Sequence, residues 1–368
     1  MKILTLTCHD VYNYGASLQA YALQKHLAFL GHDTSIIDYK PNYLDTKYRL
    51  SWFVNPNSPH FSKCNKNICF RIFYILKRYL EDLKFSSRKK VFNEFKKKYL
   101  ITTKRYNSYI QLCQDPPKAN VYIVGSDQVW NNNPLLNGWD AAFFLQFGHN
   151  CVQRISYAAS FGSTKNCPDI MTRWINSLDA ISIREKSSLK LMQDITKPIE
   201  VVCDPVFLLT KEEWIKSLEL SQGKNDYILI YNLSGDNEVL INHARFLAKA
   251  KGLKIHYMVV DKKLPDAINI KGAGPKEFLE EILNASYVFS DSFHATAFAL
   301  IFNKEFYTYQ FKSEHASQRM LILLESIRQK ARYNPQNLNG DLPYDEDEIN
   351  SILAQYIEGS KDWLKNNL

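Results

Sequence analysis

The chain has 368 residues, too many for one ordinary core; at roughly 100–200 residues per domain, two domains are expected. Hydrophobic residues make up 45% and aromatic residues 13%, yet no stretch reaches the ~18 uninterrupted apolar residues of a membrane span, and the opening Met1-Lys-Ile-Leu-Thr-Leu-Thr-Cys8 is too short for a signal peptide. The seven cysteines are odd in number, scattered and without a C-x-x-C pair, which argues against a disulfide framework and a zinc site and fits a reducing cytoplasm.

Lys2 to Cys8 reads as a buried strand, followed by the loop His9 to Gly15 and a helix from Ala16 to Leu30. Gly31 closes the helix and Thr34 to Asp38 is the next strand. In this strand-helix-strand unit, Gly15 stands just before a helix amino terminus, which suits a phosphate or diphosphate; a turn-only role fits equally well. Pro41 to Pro59 has no sustained period and reads as a loop.

The formal charge of +8 is unevenly spread. Ser62 to Arg105 holds fourteen Lys and Arg against three Asp and Glu, a surplus of +11. Two helices are expected there, around Ile68 to Leu80 and Val91 to Leu100, with large apolar residues beside basic ones. Such a pair suits an anionic membrane surface, or an ordinary core face backed by a solvated one; nucleic acid ranks lower, since no binding module accompanies the charge.

Val121 to Val124 is a buried strand running into Gly125-Ser-Asp-Gln. Asp127, Gln128, Trp130 and Asn131 offer a carboxylate, amides and an aromatic plate, a mixture suited to a sugar; the alternative is a local turn with Trp130 in the core. Further strands are expected at Arg154 to Gly162, Ala180 to Ser187 with Arg184 at its end, and Val201 to Phe207, closed by Asp204-Pro205. A second α/β domain is expected from about Leu208 to residue 340, and a helical tail over 341–368 that returns to the first domain, residues 1–207. Within the second domain, Tyr287 to Phe289 is a strand, Ser292 the N-cap of a helix, and His294 lies in that helix's first turn, where free N–H groups favour an anion. A strand from Phe306 to Tyr309 ends just before Lys312. His294 and Lys312 thus share the carboxyl edge of a parallel sheet, where ligands collect; a plain capping role for His294 is the alternative.

Asn13-Tyr-Gly-Ala-Ser-Leu-Gln-Ala20, Val124-Gly-Ser-Asp-Gln-Val-Trp-Asn131, Ser156-Tyr-Ala-Ala-Ser-Phe-Gly162, Ser182-Ile-Arg-Glu185, Cys203-Asp-Pro-Val-Phe207 and Asp291-Ser-Phe-His294, in this order, resemble the polysaccharide pyruvyl transferase family. The resemblance implies two Rossmann-like α/β domains facing a cleft, similar to GT-B glycosyltransferases. It also implies transfer of the enolpyruvyl group of phosphoenolpyruvate to a sugar as a cyclic ketal. Carried over residue by residue, it matches the family's histidine to His294, its lysine to Lys312 and its arginine to Arg184; a guanidinium, an ammonium and a helix amino terminus suit the donor's carboxylate and phosphate, and His294 is the candidate general acid. This chain has Ser292 where many relatives have arginine, and Ala16 where many have aspartate.

The expected protein is therefore a pyruvyl transferase of bacterial surface polysaccharide synthesis, with no metal and no cofactor beyond phosphoenolpyruvate as donor. His294 and Asp127 are its catalytic acid and base, and Arg184 from the first domain binds the donor together with Lys312 and Ser292 of the second. Asn13, Gly15, Gln128, Trp130 and Asn131 bind the acceptor sugar on the first. An acceptor carried on a polyprenyl diphosphate would place the enzyme at the inner face of the cytoplasmic membrane. The alternatives are a nucleotide-sugar glycosyltransferase of the same architecture and a non-catalytic sugar- or membrane-binding relative.

Overall fold

A computed structural model describes residues 1–41, 43, 44, 54, 58–133, 139–223, 226–259, 262–311, 314–336, 338, 342 and 344–368. The chain divides into two compact units: Met1–Pro205 together with Asp362–Leu368, and Val206–Lys361. Each is an α/β unit built on one parallel sheet, the class the strand and helix pattern predicts.

The first sheet has seven strands: β1 Lys2–Leu6, β2 Asp33–Tyr39, β3 Thr102–Tyr106, β4 Val121–Val124, β5 Gln153–Ala159, β6 Ala180–Ile183 and β7 Ile199–Val201. Their order is β3-β2-β1-β4-β5-β6-β7, every neighbouring pair parallel. The central strand β4 is a continuous apolar run because both faces are covered, and all four of its residues are buried. The strand expected over Val201 to Phe207 instead ends at Val201, and Pro205–Leu208 forms a single 3-10 turn. Proline's fixed φ and missing N–H suit the first position of a helical turn, and Pro205 opens this one.

Between β5 and β6 the register slips, and Ala158 takes a positive φ of 52°. Serine hydroxyls stitch the bulge. Ser156 Oγ donates to Ser182 O at 3.1 Å and accepts from Ser182 N at 3.0 Å, while Ser182 Oγ donates to Ser156 O at 2.8 Å. Small polar residues at both positions let the strand bend without stranding buried backbone groups.

The basic segment forms three helices, Phe61–Lys66, Ile68–Lys84 and Ser86–Tyr99. The last turns Phe92 and Phe95 into the first unit, against Tyr14 and Tyr21, with ring centroids 5.2 and 6.1 Å apart.

The second unit repeats the scheme in five strands: β8 Tyr227–Tyr231, β9 Lys254–Met258, β10 Ile268–Ile270, β11 Tyr287–Ser290 and β12 Glu305–Thr308. They are ordered β10-β9-β8-β11-β12 and are again all parallel. The final helix, Glu346–Asn366, begins in the second unit and ends in the first, where Gln153 Nε2 donates to Asn367 O at 2.9 Å.

Gly162, just past β5, has φ +57°, and a Cβ there would lie 2.5 Å from Asn131 Nδ2 and 2.6 Å from Gln128 Oε1. Gly162→Ala therefore combines left-handed strain with displacement of the Gln128–Asn131 pair, and should cost about 1–2 kcal/mol in a urea titration. An unchanged midpoint would show that the turn relaxes freely.

Candidate functional site

In each sheet one strand has neighbours reached by crossovers running in opposite directions. The carboxyl ends at such a switch point form the usual ligand crevice of open parallel sheets. In the first unit it lies between β1 and β4, and the loop after β4 is fixed in detail. Thr7 Oγ1 donates to Ser126 O at 2.8 Å and accepts from Gln19 Nε2 at 2.9 Å. A Cβ on Gly125 would sit 3.4 Å from both Leu23 and Thr7, so glycine permits the close approach.

Asp127 follows with φ 73°, a left-handed conformation that aspartate tolerates better than most residues. Its carbonyl accepts from Val129 N at 2.8 Å and Ser160 N at 3.1 Å, and its carboxylate accepts from Gln128 N at 2.9 Å. The half-buried carboxylate of Asp127 and the half-buried amide of Gln128 thus stand together at the end of β4.

Four expectations for this edge change. Trp130 is 0% exposed, donates its indole N–H to Phe143 O at 2.9 Å and stacks on Phe144 at 5.6 Å, so it is a core residue and not a plate for a sugar. Asn131 is buried too; it donates to Gln128 Oε1 at 2.7 Å and accepts from Asn133 N at 2.9 Å, so it supports the loop from behind. Gly15 lies inside the helix Tyr14–Phe29, not in the loop before it. The side chain of Asn13 caps that helix, accepting from Ala16 N at 3.1 Å.

The fifth change concerns Arg184, expected at an open edge. It is 5% exposed. Nη1 donates to Asp204 Oδ2 at 2.9 Å and Ser126 Oγ at 3.1 Å, and Nε donates to Glu185 Oε2 at 3.3 Å. Nη2 has no hydrogen-bond partner among the described residues. Glu185 in turn accepts from Ser160 Oγ at 2.5 Å and Ser188 Oγ at 3.2 Å. Burial works against the charge, but Glu185, Asp204 and Asp127 hold the guanidinium's pKa above its usual value. Arg184 thus ties together the ends of β4, β5, β6 and the segment after β7.

A second charged cluster, not foreseen from the pattern, occupies the ends of β1, β2 and β3. Arg105 donates to Asp38 at 3.0 Å and Asp10 at 2.7 Å; Lys40 and Lys96 reach Asp10 at 3.2 and 3.1 Å; His9 faces Asp38 at 3.3 Å. Burial tends to raise both carboxylates, but hydrogen bonds from His9 and Arg105 hold Asp38 well below the usual range, and Lys40, Lys96, His9 and Arg105 lower Asp10. The adjacent His9-Asp10 pair was the available clue; its partners lie far along the chain.

In the second unit the switch point lies between β8 and β11. Asp291 accepts from Leu233 N at 2.6 Å and Ser234 N at 3.0 Å, bridging the two strand ends, and burial outweighs these bonds and raises its pKa. Ser290 Oγ donates to Tyr231 O at 2.7 Å and accepts from Ser292 N at 3.0 Å. Ser292 is the N-cap by position of the helix Phe293–Ile301, with no side-chain capping bond.

His294 is the second residue of this helix and half-buried, its ring 5.3 Å from and perpendicular to that of Phe293. The guanidinium of Arg319 lies over that same Phe293 ring, 4.1 Å from its centroid. A cation therefore stands beside the start of this helix although position 292 is serine; no sequence spacing links residue 319 to it. Lys312 lies outside the described residues. Among the described residues no group of three or more His, Cys, Asp or Glu is placed to hold a metal ion, and no helix is long and apolar enough to cross a membrane.

The family model for polysaccharide pyruvyl transferase matches residues 13–310. No curated protein matches the chain. Among solved structures, UDP-GlcNAc 2-epimerase from Methanocaldococcus jannaschii is 12% identical with a TM-score of 0.49, over 97% of this chain and 93% of that one. UDP-N-acetylglucosamine 2-epimerase from Rickettsia bellii is 13% identical with a TM-score of 0.45, over 99% and 95%.

Arg184→Ala leaves Asp204 and Glu185 buried without their cation, and should destabilise the protein by about 3–5 kcal/mol in a denaturant titration. A loss under about 1 kcal/mol would mean that water enters the site and takes over the arginine's role.

Proposed function

The chain belongs to the polysaccharide pyruvyl transferase family, and from that premise we propose that it transfers the enolpyruvyl group of phosphoenolpyruvate onto a sugar as a cyclic ketal. The observation that carries the reading is the position of His294, in the first turn of the helix that opens at the second unit's switch point. Three features there suit a donor bearing a carboxylate and a phosphate. The helix begins without a side-chain cap from Ser292, the macrodipole is positive at that end, and the Arg319 guanidinium stands beside it. Lys312 is assigned to the same anion.

The chemistry balances without a redox partner. A proton added to C3 of the enol makes C2 electrophilic; one sugar hydroxyl adds at C2 and loses its proton. The C2–O bond to phosphate then breaks, phosphate leaves with its electron pair, and the second hydroxyl closes the ketal, losing its proton in turn. We assign delivery of the C3 proton to His294. Asp127, held in its left-handed turn beside Gln128 in the first unit, is assigned to binding and deprotonating acceptor hydroxyls. Arg184, being buried, positions that loop. The acceptor is a sugar of a surface-polysaccharide precursor, carried on a polyprenyl diphosphate at the inner face of the cytoplasmic membrane.

Phosphoenolpyruvate should raise the melting temperature and nucleotide sugars should not. His294→Ala should keep the parent's melting temperature and lose ~10²–10⁴-fold in phosphate release. Stabilisation by a nucleotide sugar alone, or activity of His294→Ala within a few-fold of the parent, would overturn the assignment.

A further inference from the structure

The helix Ile68–Lys84 presents an apolar stripe to solvent along most of its length. At about 3.6 residues per turn, Ile72, Phe73, Leu76, Tyr79, Leu80 and Leu83 fall within an arc of about 120°. All six are exposed; Phe73, Leu80 and Leu76 reach 65%, 61% and 55%. The side chains that serve internal packing point elsewhere, since Phe70 and Tyr74 meet the His60 ring at 6.3 and 5.2 Å. Lys77 borders the stripe on one side, Arg71 and Arg78 lie past Ile75 on the other, and the segment Ser62–Arg105 carries a surplus of +11.

Part of that charge is spent inside the first unit. Lys96 pairs with Asp10 and Asp38, Arg88 donates to Tyr12 O at 3.2 Å and lies over the rings of Tyr14 and Phe92, and Lys89 lies over Tyr12. Lys63, Lys66, Lys77, Lys90 and Lys97, by contrast, are exposed. An exposed contiguous apolar stripe marks an interaction surface, and a convex helix with an apolar face and basic margins fits the plane of a bilayer headgroup region.

We propose that the helix Ile68–Lys84 docks this protein on an anionic lipid surface, the apolar stripe entering the headgroup boundary and the lysines meeting lipid phosphates. Charge decides against a second copy as the occupant: a twofold pairing would set the exposed Lys63, Lys66, Lys77, Lys90 and Lys97 of one copy against those of another, whereas an anionic bilayer complements them. The docking stands apart from the donor chemistry, because either can fail with the other intact.

The test is sedimentation of the full chain with vesicles of equal parts phosphatidylglycerol and phosphatidylcholine, and with phosphatidylcholine alone. Two variants accompany the parent: Phe73→Ser with Leu76→Ser and Leu80→Ser, and Lys63→Gln with Lys66→Gln, Lys77→Gln and Lys97→Gln. All altered side chains are exposed, so unchanged melting temperatures should confirm folding. The parent should pellet with the anionic vesicles and far less with the neutral ones, each variant should bind about tenfold more weakly, and added salt should weaken the parent. A parent that stays in solution with anionic vesicles at low salt overturns the proposal. So does an apolar variant that binds like the parent, and so does a parent dimer, split by the apolar variant, that ignores lipid; that last result would assign the stripe to a second copy.

Discussion

A guanidinium taken out of water costs several kcal/mol unless its charge and its donors are met, and the first unit's carboxyl edge is arranged around meeting them for Arg184. Its partners come from four places: Ser126 after β4, Glu185 next in sequence, Asp204 after β7, and through Glu185 the hydroxyl of Ser160 after β5. None of these loops can move alone without leaving a buried charge unpaired. The strained turn at Asp127 persists because its neighbours are held in this way; Ser126 is bonded on one side by Arg184, and the carbonyl of Asp127 accepts from Ser160 N. The network is therefore better understood as specifying one arrangement of the edge than as adding net stability, since a buried ion pair often contributes little of the latter.

The second unit solves the same topological problem with neutral donors. Asp291 is buried without a basic partner among its hydrogen bonds and relies on two backbone N–H groups from the loop after β8. Burial therefore raises its pKa, whereas cationic partners override burial and lower those of Asp10 and Asp38. The consequence is local: the start of the helix carrying His294 is tethered to β8 and β11, and its first turn takes no side-chain cap from Ser292.

Elements were legible where a periodic apolar run met a clear stop. β4 ahead of Gly125, β11 ahead of Ser290-Asp291-Ser292, and the helix closed by Gly31 at φ 85° all lie within a residue or two of the pattern. The site was legible by address and not by role. Arg184 and Trp130 sit at strand ends as the spacing says, but whether a side chain at such an end faces solvent or the interior depends on what packs over it. For Trp130 that cover is Phe143 and Phe144, and for Arg184 it is Ser126 and Asp204. Likewise, nothing in the pattern of the basic segment sets Lys96 apart, because Asp10 and Asp38 are brought to it only by the fold. Arg319, at the ring next to His294, carries no local signal at all.

The central claim is that the donor's anion is held at the start of the helix Phe293–Ile301, beside His294. It is tested most directly by NMR of protein labelled in its nine histidine rings, with the signal of His294 identified through a His294→Gln variant, during titration with phosphoenolpyruvate. The account predicts that the His294 signal moves to saturation with phosphoenolpyruvate and stays in place with a nucleotide sugar. A titration in which His294 is indifferent to phosphoenolpyruvate, while His9 or another histidine responds, would contradict it.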